Sequence, residues 1–153
     1  MGYEIKTAYD RLDEVRTLFR EYHKMLGVDL CFQNYEEELA SLPGKYLPPD
    51  GRLYLIYLEG KLAGCIALRR FDETRCEMKR LFVRPQFRGL RLGQILAQHI
   101  IDDAKAIGYQ AMVLDTLKSL ESAVTMYRRM GFEEVAPYYD NPLNDVLYFQ
   151  LTL

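Results

Sequence analysis

The sequence predicts an α/β chain of the α+β kind, with a mixed, mostly antiparallel central sheet of about 6–7 strands flanked by about 4 helices. Three observations carry this. Between Arg52 and Val83 three apolar runs follow one another, separated only by short turn signals, as an antiparallel meander requires. Two long segments, one before the meander and one after it, repeat apolar residues with a helical period. After the meander a helix joins two strands, so those strands should run parallel.

The elements follow in order. Tyr3 to Lys6 reads as a short first strand. Asp10 to Leu26 is helical, because Leu12, Val15, Leu18, Phe19, Tyr22, Met25 and Leu26 recur on one face, and Gly27 supplies a C-cap. Asn34 is placed to cap a short helix over Tyr35–Leu42, whose first turn is rich in Glu. Pro43-Gly44 and Pro48-Pro49-Asp50-Gly51 mark loops around Lys45-Tyr46. Arg52–Glu59 and Lys61–Arg70 make a hairpin about Glu59-Gly60-Lys61, and Arg75–Val83 completes the meander. The next helix packs through Leu92, Leu96, Ile100, Ala104 and Ile107 and stops at Gly108. Ala111–Asp115 is a strand, a last helix begins at Ser119 or Glu121 and ends at Gly131, and Phe132–Val135 and Asp145–Leu151 close the sheet.

A chain of 153 residues fits one domain spanning residues 1–153, with 49% hydrophobic and 27% charged residues as in ordinary globular proteins. Its apolar runs fall short of the ~18 residues a membrane span needs. The start Met1-Gly2-Tyr3-Glu4-Ile5-Lys6 has no signal-peptide core, and Lys6 stands where myristoylation wants Ser or Thr. A net charge of −2 gives no general attraction to nucleic acid; the cations are local, at Lys79, Arg80, Arg84, Arg88 and Arg91. Cys31, Cys65 and Cys76 lack metal-ligand spacing, Cys65 and Cys76 in apolar strand patterns read as buried reduced thiols, and His23 and His99 are too scattered for zinc. The expected location is the cytoplasm, with no metal.

The most informative stretch leaves the third meander strand at Val83 and runs through Arg84-Pro85-Gln86-Phe87-Arg88-Gly89-Leu90-Arg91-Leu92-Gly93 into a helix start. Free backbone N–H groups and the positive end of the helix dipole suit a phosphate group. The run Arg88-Gly89-Leu90-Arg91-Leu92-Gly93 resembles the pyrophosphate signature of the GNAT superfamily of acetyl-CoA-dependent N-acetyltransferases, Arg/Gln-x-x-Gly-x-Gly/Ala, with Arg91 in place of the first glycine. Further on, Ala123-Val124-Thr125-Met126-Tyr127-Arg128-Arg129-Met130-Gly131-Phe132 is similar to that family's helix-to-strand motif. The resemblance covers roughly the C-terminal half in its motifs.

It implies a GNAT-like sheet splayed between its fourth and fifth strands. It implies acetyl-CoA as co-substrate, held by Arg88, Gly89, Leu90, Arg91, Leu92, Gly93 and Gln94 around the pyrophosphate. The main chain of Leu81, Phe82 and Val83 would hold the pantetheine arm, with Ala123 and Tyr127 from the last helix. Leu120 stands where the family often has an Asn, so that contact is absent or comes from Ser119. Tyr127 would protonate the leaving thiolate, a sensible pairing of a phenol of pKa ~10 with a thiol of roughly 8–9. The general base falls to Glu77 or Asp115. Strand alternation puts Glu77 on the side of Val83 and opposite Cys76.

The implied reaction is direct transfer of acetyl to a primary amine of a small molecule, or of a peptide, through a tetrahedral intermediate. Phe32, Gln33, Tyr46, Tyr138 and Tyr139, in loops of a chain with 12 tyrosines, are the candidates for acceptor binding. Aromatic walls without a dense acidic cluster suit a small amine or amino-acid-like molecule better than a polyamine. The alternative is a non-catalytic acyl-CoA sensor or partner-binding module, which would not need Tyr127, Glu77 and Asp115. A nucleotide-binding protein is set aside, since the loop lacks a Gly-Lys-Ser/Thr ending. Pairing of C-terminal strands between subunits, as in many relatives, would make a homodimer.

Overall fold

The computed structural model describes residues 2–27, 35–141, 143 and 145–153. The strands are β1 (Tyr3–Thr7), β2 (Arg52–Leu58), β3 (Lys61–Arg70), β4 (Arg75–Val83), β5 (Ala111–Leu117), β6 (Glu133–Val135) and β7 (Val146–Thr152). The helices are α1 (Leu12–Leu26), α2 (Tyr35–Ser41), α3 (Leu92–Ile107) and α4 (Glu121–Arg129). The seven strands form one sheet in the order β1-β2-β3-β4-β5-β7-β6. All pairings are antiparallel except β4 with β5, the two that α3 joins. This is the predicted sheet with its predicted parallel step. Asn34, Cys31, Phe32 and Gln33 lie outside the described residues.

The local signals act as expected. Glu59 and Gly60 both have positive φ (51° and 77°), and Leu58 pairs with Lys61, so the hairpin closes in two residues whose twist matches the strands. Gly27 and Gly108 take the left-handed conformation that ends α1 and α3. Strand β2 is buried on both faces. Its Tyr54, Ile56 and Leu58 join one core with α3 and α4, while Leu53, Leu55 and Tyr57 join another with α1 and α2. The sheet is thus a middle layer, with α3 and α4 on one side and α1 and α2 on the other.

Strand β4 departs from regular geometry in two places. First, Cys65 pairs with Phe82 but Ala67 pairs with Lys79, so β4 carries one residue more than β3 at this point. Arg80, at φ 58°, lies in that bulge. Gly64 beside it is obligatory, since a Cβ there would sit 2.5 Å from the Phe82 carbonyl oxygen. Second, β4 and β5 pair only from Arg75 to Glu77 and from Ala111 to Val113. Beyond that they diverge, and the main-chain groups of Met78–Val83 that face β5 have no strand opposite them.

Candidate active site

The divergence of β4 and β5 opens a cleft of about 800 Å³. Its walls are Met78–Val83 of β4, Leu114–Leu117 of β5, the loop into α3, the start of α4, and Tyr22, Met25 and Leu26 of α1. Of the residues singled out in the sequence, Leu81, Phe82, Val83, Arg88, Gly89, Arg91, Leu92, Gly93, Gln94, Asp115, Ser119, Ala123 and Tyr127 line it. Leu90 does not; it packs against the α3-side core.

At the mouth of α3 the first helical N–H to find a main-chain acceptor is that of Ile95, on the Arg91 carbonyl 3.0 Å away. Among the described residues, the amides from Gly89 to Gln94 have no main-chain partner, as a helix start leaves them. Arg91 adopts φ 63°, ψ 18°, the left-handed conformation that the family's glycine would take freely. The backbone shape is therefore kept although the residue differs. Gly93 has no such need. A Cβ there would meet Met126 Sδ and Val83 Cγ2 at an ordinary 3.9 Å, and it would enter the cleft.

The local cations divide. Arg84 is held by Glu21, at 2.8 and 3.0 Å, and by the Leu62 carbonyl. Arg88 donates to the Val83 carbonyl, and its guanidinium lies against Met25 Sδ. Arg80 pairs with Glu38 of α2. Of these cations, only Arg88 and Arg91 stand exposed at the helix mouth.

Tyr127 is buried beneath the cleft with its ring against Phe132 and Phe149. Its hydroxyl makes no hydrogen bond among the described residues. Burial raises its pKa well above 10.0, and nearby Tyr22 and Asp115 add to this. The phenol therefore stays protonated throughout the physiological range. Tyr22, expected only as part of an apolar helix face, reaches the same cleft; burial raises its pKa to about 12. Its only signal in the sequence is a polar-tipped ring on that face.

The two candidate bases are held differently. Glu77, only 1% exposed, receives Arg69 on Oε1 (2.8 and 2.7 Å) and the Tyr138 hydroxyl on Oε2 (2.6 Å), so both oxygens are engaged. Asp115 is half-buried on the cleft wall, and Tyr139 donates to its Oδ2 at 2.5 Å. Asn141 in turn donates to the Tyr139 hydroxyl. The expectation that Glu77 shares a side with Val83 is corrected. The bulge at Arg80 reverses the alternation, so Leu81 and Val83 face the α3 core while Glu77, opposite Arg69, faces α1 and α2.

On that second side lies a smaller cavity of about 390 Å³, lined by Tyr46, Arg69, Phe71, Glu77, Lys79 and Tyr139 among others. Tyr46 lines it, but is 2% exposed with its hydroxyl on Glu38. Tyr138 lines neither cavity; it stacks edge-on with Phe71 and Tyr148 and anchors Glu77. Cys65 and Cys76 are free, buried thiols whose pKa burial drives up, for Cys76 to about 12. Among the described residues no group of three or more His, Cys, Asp or Glu is placed to hold a metal ion. No described helix is long and apolar enough to cross a membrane.

The chain and its fold resemble those of known proteins. Residues 12–132 match the acetyltransferase (GNAT) family. The chain is 44% identical to an uncharacterised N-acetyltransferase of Schizosaccharomyces pombe, over 93% of this chain and 88% of that one. It is 38% identical to an uncharacterised N-acetyltransferase of Dictyostelium discoideum across the full length of both. The fold is that of an acetyltransferase from Streptococcus agalactiae (TM-score 0.81, 23% identity, 100% of this chain and 99% of the other). It is also that of a Thermoplasma acidophilum N-acetyltransferase solved with coenzyme A (TM-score 0.77, 17% identity, all of both chains). The chain belongs to the acetyltransferase (GNAT) family and is an acyltransferase enzyme.

Proposed function

We propose that residues 1–153 form one catalytic domain that moves an acetyl group from acetyl-CoA to a primary amine. The splay of β4 from β5 over the start of α3, with the Tyr127 hydroxyl beneath it, is the observation that carries this reading. The cleft fits the co-substrate chemically. Unpartnered amides from Gly89 to Gln94, with Arg88 and Arg91 beside them, suit a pyrophosphate. The unpaired main-chain edge of Leu81–Val83 suits the amides of a pantetheine arm. Ser119 and Ala123 form the opposite wall. Bound there, acetyl-CoA supplies an activated thioester. Free core thiols and the absence of an apolar span among the described helices support the cytoplasm as its location.

Asp115 is the proposed base. It faces the same cleft as Tyr127 and its Oδ1 has no hydrogen-bond partner among the described residues, whereas both oxygens of Glu77 are engaged. Asp115 takes the proton of the acceptor ammonium, directly or through water, and the freed nitrogen attacks the thioester carbon. The C–N bond forms, the tetrahedral intermediate collapses, the C–S bond breaks and Tyr127 gives its proton to the departing thiolate, while the new amide nitrogen releases its second proton, through water, to restore the Tyr127 phenol. The buried, high-pKa thiols support direct transfer without an acyl-enzyme.

The first test is thermal. Acetyl-CoA at about 100 times its Kd adds about 2.7 kcal/mol to the native state, a rise in Tm of roughly 5–11 °C. Thiol release with an amine panel then measures transfer. An Asp115→Asn variant should bind acetyl-CoA as before and lose at least about 100-fold in rate, its remaining rate climbing with pH as free amine accumulates. Loss of that order in Glu77→Gln, with Asp115→Asn unaffected, would hand the base to Glu77.

A further inference from the structure

We propose that the acetyl acceptor carries a carboxylate close to its amine, as an amino acid does, and that the Lys79 ammonium receives that carboxylate where the two cavities meet. This rests on the acetyl-transfer reading above and names the acceptor class within it. The bulge in β4 turns two consecutive cations, Lys79 and Arg80, toward the side of α1 and α2. Arg80 is neutralised by Glu38 at 2.9 Å, and Arg69 nearby is neutralised by Glu77 at 2.7 Å. Lys79 has no ion pair and no hydrogen bond among the described residues. It is also the only described residue that lines both the large cleft and the smaller cavity.

A half-buried ammonium that makes no direct ion pair among the described residues, held at a junction of two cavities, is placed to be compensated by a ligand. Burial, with Arg80 adjacent, lowers the pKa of Lys79 from its ordinary 10.5, and the charges of Glu77, Asp115 and Glu38 around it offset only part of that. Asp115 is the converse case. It is a carboxylate on the cleft wall that accepts from the Tyr139 hydroxyl and, among the described residues, pairs with no cation, and Tyr139 itself lines the smaller cavity. The junction therefore shows one cation and one carboxylate, near enough to feel each other's charge, neither of which is in a direct ion pair among the described residues. A zwitterion matches both: its ammonium goes to Asp115, which takes the proton, and its carboxylate to Lys79. A plain alkylamine would match only Asp115, and a polyamine would also bring a second cation toward Lys79.

The experiment compares initial rates of thiol release from acetyl-CoA for the common L-amino acids, each beside its α-carboxamide, in the wild type, K79M and K79R. The carboxamide has the more acidic ammonium and supplies more free amine, so a preference for the acid cannot arise from ionisation. The wild type should favour at least one acid over its carboxamide on the order of 10–100-fold in kcat/KM, the worth of a charge-assisted contact. K79M should abolish that preference mainly through the acceptor KM, K79R should keep part of it, and the acetyl-CoA-induced rise in Tm should be equal in all three. Turnover of carboxamides or alkylamines as fast as acids, or a preference that survives in K79M, overturns the inference while leaving acetyl transfer intact. No thiol release with any amine, despite a rise in Tm with acetyl-CoA, overturns the transfer reading and this inference with it.

Discussion

The two cavities that meet at β4 are built from different materials. The large cleft is chiefly main chain: diverging strand edges, the bare amides of a helix start, and a glycine that keeps the wall open. The smaller cavity is chiefly side chain: the Arg69–Glu77 pair, Lys79, Tyr46, Phe71 and Tyr139, drawn from β3, β4 and three separate loops. A main-chain site can be specified by a few residues close together in sequence. A side-chain site is specified by contacts across the chain, and it can change its ligand without disturbing the fold.

This division is tested most severely at Tyr127, which belongs to the first cavity but acts by its side chain. Tyr127→Phe should lower kcat roughly 10²–10⁴-fold, the usual worth of a positioned proton donor, with KM for acetyl-CoA little changed. An unchanged kcat in steady-state thiol release would return Tyr127 to a packing role. Glu77 tests the opposite cavity. Glu77→Ala should cost about 3 kcal/mol in denaturant unfolding, because it strands Arg69 and releases Tyr138, yet it should leave the acetyl-CoA-induced stabilisation in place.

At Gly93 the needs of fold and site diverge. Gly93→Ala places a methyl group in the cleft without a clash in the protein, so Kd for acetyl-CoA should rise by on the order of 10–100-fold. The helix should gain about 0.5–1 kcal/mol in the same variant, so calorimetry of the free and ligated forms should move in opposite directions. The smallest effect is at Arg91. Arg91→Gly should be more stable than Arg91→Ala by about 1 kcal/mol, because only glycine takes φ 63° without strain. Equal stabilities would show that the loop relaxes once the side chain is gone.

A pH experiment probes both cavities together. Burial raises the folded-state pKa of Tyr127, Tyr22, Tyr46 and Tyr138 above 10.0. In each case the folded value exceeds the unfolded one, so the stabilisation is whole below pH 10.0 and is lost as pH rises above it. Tyrosinate absorbance and unfolding should therefore appear together in alkali, with no loss of stability on approaching that pH.

Much of this is legible in the chain. The hairpin at Glu59-Gly60, the C-caps at Gly27 and Gly108, and the parallel step around α3 follow from short-range stereochemistry, and they stand close to where the sequence places them. The cleft-lining loop is legible too, apart from Leu90, whose side chain turns into the core. Tyr22 and Lys79 are not legible as cleft residues, since a helix face and a strand pattern do not say which cavity a residue reaches. Glu77 falls on the other side of β4 from the one expected, because period-two alternation assumes an unbroken ladder and the extra residue at Arg80 reverses it.

The order of elements, the mixed sheet and the phosphate-suited turn are thus properties of the sequence alone, all consequences of spacing and local dihedral preference. Only in the folded molecule is it settled which face of β4 each side chain occupies, which of the nearby cations are neutralised, and which carboxylate retains a free oxygen. Those depend on a one-residue bulge and on partners such as Glu38, Arg69, Tyr138 and Tyr139, brought together by packing rather than by proximity along the chain.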